Sequence, residues 1–289
     1  MIGLMDVFLL NTLTTLDLSQ EDIGDAHTQY LAIGLRNNTT LAILDLSCNQ
    51  IGAVAVHYLS EALRANNVIL ILSPSLSHIG AQYLVSALQD NKTLTVLNID
   101  YNGIEFTGAQ HLAAGLRHNM ALTTLNFDGN SIGDVGIQYF ADALTANKAP
   151  TTFSLYRNDI GKAGAQYLAD ALINNTTLTT LDLDTNEIMA DGARYIADAL
   201  RNNRMLTTLN MSNNSIDANG AQHFADALRK NTTLTTLILE SNKIEDIGAK
   251  RLADALRYNT TIETLKIFLL NGISSDVQKE LKRQDNRIK

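Results

Sequence analysis

The stretch Leu178–Asn203 reads LTTLDLDTNEIMADGARYIADALRNN, and its two halves keep two different periods. In the first half Leu181 and Leu183 alternate with Asp182 and Asp184, the period of a strand buried on one face. Asn186 interrupts the alternation and Ile188 closes the strand side. In the second half Ala193, Ile196, Ala197 and Leu200 fall at i, i+3, i+4 and i+7, one stripe of a helix. One short strand and one short helix cannot bury their apolar faces alone. The unit therefore needs copies of itself on both sides.

The copies are present. Their opening residues are Leu13, Leu41, Leu94, Leu122, Pro150, Leu178, Leu206, Leu234 and Ile262, and from Leu94 onward each step is 28 residues. One irregular copy fits between Leu41 and Leu94, so about ten strands are expected. The pattern L-x-x-L-x-L-x-x-N-x-I-x-x-x-G-A-x-x-L-A-x-A-L-x-x-N resembles the leucine-rich repeat family. Repeat length and the helical second half resemble its ribonuclease-inhibitor-type subclass. The resemblance covers residues 13–272 and implies an α/β right-handed solenoid horseshoe, with a parallel sheet on the concave face and helices on the convex face. Spacing demands the same bend, because strands stack about 4.8 Å apart and helices about 8–10 Å apart.

Residues 1–12 read as an N-terminal capping remnant, and residues 13–272 as one repeat domain without a linker. Residues 273–289 read as a capping helix and tail. In that helix Ile273, Val277 and Leu281 face inward, while Lys279, Lys282, Arg283 and Arg287 suit the wet side and a frayed end. The irregular copy, near residues 66–93, lacks three residues, and counting back from its helix puts the whole loss before the strand. Ile69, Ile71 and Leu76 then point inward, Pro74 replaces an asparagine, and Leu70 and Leu72 project onto the strand face.

The chain has 289 residues, 45% of them hydrophobic, which is enough for a long continuous core. Its single cysteine, Cys48, excludes an intrachain disulfide framework and suits a reducing compartment. No signal peptide or membrane span is expected, so the expected location is the cytoplasm, or a host cell's cytosol if the chain is a delivered effector. A net charge of −8 disfavours nucleic acid as a partner.

Two asparagine columns recur. Asn49, Asn102, Asn130, Asn158, Asn186, Asn214 and Asn242 follow the strands, where buried backbone groups leave the ladder and an amide can serve them. Glu21 and Leu270 stand at the equivalent places in the end repeats. Asn38, Asn66, Asn91, Asn119, Asn147, Asn175, Asn203, Asn231 and Asn259 follow the helices, where asparagine suits a left-handed helix end. Arg36, Arg64, Arg117, Arg201, Arg229 and Arg257 fall where a cation meets the helix dipole. Gly108, Gly136, Gly164, Gly192, Gly220 and Gly248 read as sites of close helix–sheet approach, not phosphate loops.

No catalytic constellation emerges. Asp182-x-Asp184-x-Asn186 resembles the start of a calcium loop, but Glu187 stands where that loop needs glycine, so no metal and no cofactor is expected. The informative surface is the open strand face. Asp100, Tyr101, Asp128, Tyr156, Arg157, Asp182, Asp184 and Glu240 project there and mix carboxylates with aromatic and arginine side chains. Tyrosine and arginine are enriched at binding hot spots. A non-enzymatic module is therefore expected, a monomer binding a partner protein of basic surface. Near-identical threonine-rich repeats without cysteine caps are similar to those of intracellular bacterial proteins, effectors included. Ran GTPase-activating proteins carry similar horseshoes, so regulation of an enzyme stays open, with Arg157 the one rim arginine for it. So does the alternative that these repeats are part of a longer protein whose activity lies elsewhere.

Overall fold

The structure is a computed structural model and describes residues 13–36, 38–64, 69–71 and 76–289. The capping remnant expected at 1–12, and Leu72 and Pro74 of the irregular repeat, lie outside the described residues. Strands and helices alternate throughout: β1 (Thr15–Asp17), α1 (Asp25–Leu35), β2 (Ile43–Asp45), α2 (Ala53–Leu63), β3 (Ile69–Ile71), α3 (Ser77–Asp90), β4 (Val96–Asn98), α4 (Glu105–Leu116) and β5 (Thr124–Asn126). Then come α5 (Gly133–Ala146), β6 (Thr152–Ser154), α6 (Lys162–Asn174), β7 (Thr180–Asp182), α7 (Met189–Leu200), β8 (Thr208–Asn210), α8 (Ala218–Leu228), β9 (Thr236–Ile238), α9 (Glu245–Leu256), β10 (Thr264–Lys266) and α10 (Ser275–Gln284).

The chain divides into two compact units, Met1–Ile132 and Gly133–Lys289, and the division falls inside a repeat, between β5 and α5. In the first unit β1 to β5 pair in chain order, all parallel. In the second, β6 to β10 do the same. Each unit is a strand–helix solenoid. Its inward strand residues, such as Leu44 and Leu97 in one and Leu181, Leu209 and Leu237 in the other, are fully buried beneath the helical stripe. Burying one such leucine contributes about 1.5–3 kcal/mol. The stack repeats that gain at every step.

What ties one repeat to the next is an amide. Asn242 is buried. Its Oδ1 accepts the backbone N–H of Asn214 (3.0 Å) and of Ile216 (2.9 Å) from the preceding repeat. Its Nδ2 donates to the carbonyls of Met211 and Leu239 (both 3.0 Å) and Glu240 (3.1 Å). Asn130 and Asn186 do the same in their places. The second column works differently from the expectation. Asn91 (φ −71°, ψ 125°) and Asn175 (φ −76°, ψ 132°) are extended, not left-handed. Their side chains close a turn instead: Asn175 Oδ1 accepts from Thr177 N–H (3.0 Å) and Leu178 N–H (2.7 Å) while Nδ2 reaches Leu144 O (2.9 Å) one repeat back.

Threonines add a third thread. Thr179, Thr207 and Thr235 each donate Oγ1–H to the threonine carbonyl one repeat earlier, at 3.0 Å. The arginines stand at the helix C-caps, and several pair with acids, as Arg229 does with Asp226 (2.8 Å) and Arg64 with Asp90. Such exposed pairs contribute little. The glycines mark helix–helix rather than helix–sheet contact: a Cβ on Gly248 would lie 2.6 Å from Ile244 Cγ2 and 2.9 Å from Ala221 Cβ of the neighbouring helix. Asp134 Oδ1 accepts from Gly161 N–H (2.7 Å) and Gly164 N–H (2.8 Å), capping the next repeat's helix where the N-cap glycine has no side chain.

Two further expectations need correction. In the irregular repeat β3 pairs Leu70 with Leu44 and Leu97, and Ile71 with Asp45 and Asn98. Leu70 thus takes the register of the inward leucines, and the missing residues are shared between both sides of the strand. Pairing with two neighbours outranks distance from the helix, because a one-residue slip would reverse every side chain. At the other end the tail is not frayed. Leu265 N–H donates to Arg287 O (2.8 Å), Lys289 N–H to Leu265 O (2.8 Å) and Ile267 N–H to Lys289 O (2.9 Å), so the tail covers the β10 edge. The Arg287 guanidinium donates to Leu256 O (2.7 Å) and Asn259 O (2.8 Å), carbonyls that an asparagine serves elsewhere.

Asn242→Ala should lower stability by about 1–3 kcal/mol, since five backbone groups lose a buried partner; chemical denaturation measures it. Arg287→Ala should loosen the β10 edge selectively, seen as faster amide exchange of Leu265 and Ile267 with Leu209 unchanged.

Candidate functional site

The face of each sheet turned away from the helices carries the residues singled out above. It exists because the strand alternates: Asp182 and Asp184 stand between buried Leu181 and Leu183 and are themselves half-buried. After the strands whose turns are described, the chain passes through a left-handed residue just before the ladder asparagine or its equivalent. These residues are Gln20, Cys48, Tyr101, Gly129, Arg157, Thr185, Asn213, Ser241 and Leu270, with φ between 48° and 64°. Within each unit they form a ridge along the strand face that alternation alone does not reveal.

In the first unit Asp100, Tyr101 and Asp128 come together. Asp100 Oδ1 accepts the Asp128 backbone N–H (2.8 Å), and Tyr101 N–H donates to Asp128 O (2.7 Å). Tyr101 is 49% exposed. Its ring lies against Gly129, where a Cβ would stand 2.4 Å from Tyr101 Cδ1. Gly129 is thus required both for its φ of 64° and for the ring above it. Burial, foremost, and the Asp128 charge push the Asp100 carboxyl up to about 6, against the hydrogen bonds from Asp128 N–H and Asn98.

In the second unit Asp182 and Asp184 form one network. Asp184 N–H donates to Asp182 Oδ1 (2.9 Å). Asn210 Nδ2 reaches Asp182 Oδ2 (3.3 Å) and Asp184 Oδ2 (3.4 Å). Asn213 Nδ2 and Thr185 Oγ1 donate to Asp184 Oδ1 at 2.8 and 2.9 Å. Ser212 Oγ fixes Asn210 in turn (2.8 Å). Arg157 is exposed and joins through its backbone, N–H to Asp184 O (3.0 Å), beside half-buried Tyr156. Glu240 joins through its carbonyl, which accepts Asn213 N–H (3.1 Å). Thr185 and Asn213 share the ridge position of Tyr101 and Arg157 but escaped the sequence reading, because a small polar side chain there carries no hot-spot signal of its own.

The Asp182-x-Asp184-x-Asn186 triplet does not converge on one point. Asn186 is buried and its Oδ1 accepts from Asn158 N–H and Ile160 N–H (both 3.0 Å), while the two aspartates project on the other face. Among the described residues no cluster of three or more histidine, cysteine or carboxylate side chains is arranged to hold a metal ion. No described helix is long and apolar enough to cross a membrane.

The raised Asp100 carboxyl has a definite sign. The folded chain holds that proton more tightly than an unfolded aspartate, which ionises near 3.9. Stability from this group is therefore greatest below about pH 4 and declines as pH rises through about 6. Asp100→Asn keeps the oxygen acceptor and removes the ionisation. Its melting temperature relative to wild type should rise between about pH 4 and about pH 7. The Asp100 carboxyl resonance should titrate near 6; a midpoint in the ordinary aspartate range would contradict the burial argument.

A family model described as leucine-rich repeat matches residues 37–60, 90–113, 118–141, 174–197, 202–225 and 230–253. No curated protein sequence matches the chain. Among solved structures, leiomodin-1 actin-binding site 2 is 26% identical, covers 52% of this chain and 79% of its own, and superposes with a TM-score of 0.39. The C-terminal domain of a Caenorhabditis elegans tropomodulin is 16% identical, covers 44% and 76%, and has a TM-score of 0.38. With the repeat, its asparagine ladder and the family match in agreement, the chain belongs to the leucine-rich repeat family.

Proposed function

We propose that this chain is a non-enzymatic interaction module that binds a partner protein with a basic surface through its strand face. Leucine-rich repeats are protein-interaction modules, and the finer reading rests on one observation. Neutral donors hold the Asp182 and Asp184 carboxylates side by side: the Asn210 and Asn213 amides, the Thr185 hydroxyl and one backbone N–H. Two carboxylates so close repel one another, and these donors hold both in place. A cationic side chain arriving from a partner gains attraction to both and meets groups already in place, so little ordering is lost on binding.

Around this pair the face offers recognition groups of a second kind. Tyr156 and Arg157 stand beside it, and Glu240 lies further along the same face. In the first unit Tyr101 presents an exposed ring next to Asp100 and Asp128. Acidic lining attracts a basic partner over distance, which accelerates encounter and makes it salt-sensitive.

Affinity capture with the immobilised chain tests the reading. Proteins retained by wild type at low salt should be lost with Asp182→Lys/Asp184→Lys, and their affinities should fall about tenfold or more, mostly through slower association. Asp170→Lys, at an exposed position of α6, serves as a control. Retention of the same proteins by the double variant would remove the strand-face acids from recognition.

A further inference from the structure

The last repeat departs from its neighbours at one place. Elsewhere the ladder asparagine stands three residues after the inward strand residue, as Asn242 does after Leu239, at 3.0 Å from its carbonyl. In the last repeat Asn271 takes this role from four residues after Ile267, with Nδ2 2.8 Å from Ile267 O and 2.7 Å from Leu239 O. Leu270, the position expected to align with the column, lies outside it. Repeat length misplaced it because the insertion is visible only from the hydrogen bonds.

The extra residue pushes Leu269 and Leu270 into solvent, 55% and 75% exposed. Leu270 also holds a φ of 48° on the left-handed ridge. Small, polar, arginine or tyrosine residues occupy that ridge in the other repeats. A branched aliphatic side chain there has backbone strain and loses burial as well. The tail covers β10, Arg287 serves the open carbonyls, and the Ser274 hydroxyl caps α10 while bonding Asp246 at 2.8 Å. The projecting loop is itself held: Leu269 O accepts Ser241 N–H (2.6 Å), and Asn271 O accepts Glu245 N–H (2.9 Å).

The surroundings specify charge. Lys282 Nζ sits 4.8 Å from the Phe268 ring centroid, and Lys289 Nζ lies 3.3 Å from Thr264 Oγ1. Lys266 is the last strand residue before the loop. Lys282, over the Phe268 ring, and Lys266, two residues before it, thus give the base of the projection positive charge, while Glu245 borders its far end at Gly272.

We propose that Phe268, Leu269 and Leu270 form a docking knob for a segment of a partner protein that carries large apolar side chains flanked by carboxylates. Leu269 and Leu270 supply apolar contact from a backbone already fixed. Lys266 and Lys282 meet the flanking acids. The site does not depend on the acids of the strand face.

The probe is a short fluorescent peptide alternating leucine with glutamate, beside a counterpart alternating leucine with lysine. Wild type should bind the glutamate peptide. Leu269→Ser/Leu270→Gly and, separately, Lys282→Glu should each weaken it about tenfold or more, and Asp182→Lys/Asp184→Lys should leave it intact. Glycine suits the left-handed φ, so Leu270→Gly alone should melt no lower than wild type, and a loss of binding is then not a loss of fold. Equal binding of both peptides, or none of the glutamate peptide, overturns the proposal. So does self-association in sedimentation, or capture by phosphatidylserine vesicles, that vanishes with the leucine variants, because the occupant is then a second copy or a lipid surface.

Discussion

The repeat depends on a conflict that every strand–turn–helix unit must resolve. Just past each three-residue strand the chain turns inward, and its N–H and C=O groups leave the ladder before they reach water. An unserved group of this kind costs about 1–3 kcal/mol, and each turn carries several. One asparagine amide, with two donors and an acceptor, meets them within its own turn and in the turn before. Asn186 and Asn242 do so with almost superposable partners. The hydrophobic core explains why repeats stack. The asparagine explains why they stack in one register, since a slipped neighbour would leave those groups unmatched.

This constraint also separates structural from recognition positions. Leucines, small helix residues, both asparagine columns and the ladder threonines are all committed to neighbours. What remains free to vary is the outward strand positions, the left-handed ridge and the outer helix faces. On the strand face that freedom has been used for carboxylates and aromatics. Asp182 and Asp184 are held by Asn210, Asn213 and Thr185, and Tyr101 is seated on Gly129. Asp182, Asp184 and Tyr101 are therefore held by their neighbours, a property of binding surfaces that lose little entropy on association. At the last repeat the same freedom yields another chemistry, exposed leucines next to a phenylalanine that carries Lys282 over its ring.

Much of this was legible in the residues. Period-two alternation at Leu181 and Leu183, the helical stripe from Ala193 to Leu200 and the 28-residue recurrence define the solenoid and name Asp182 and Asp184 as outward-facing. The first asparagine column was legible in role as well as position, because buried turn groups leave few alternatives. The second was legible in position only. Asn91 and Asn175 were expected to be left-handed, but an extended backbone lets their amides close the turn and reach the preceding repeat. Count-based reading also failed at β3 and at Leu270, where insertions and deletions break the period and pairing with neighbours decides the register.

The amino-acid sequence by itself determined the repeating unit, its two periods and the direction of the strand side chains in the regular repeats, because those follow from local geometry and the need to bury leucine. Only the tertiary structure decided what lies between repeats: the Asn210 and Asn213 amides across two aspartates, the burial that raises the Asp100 carboxyl, Arg287 standing in for an asparagine, and the leucines displaced at the last turn. These depend on contacts between residues a full repeat apart, whose partners are set by register and by backbone conformation rather than by spacing along the chain.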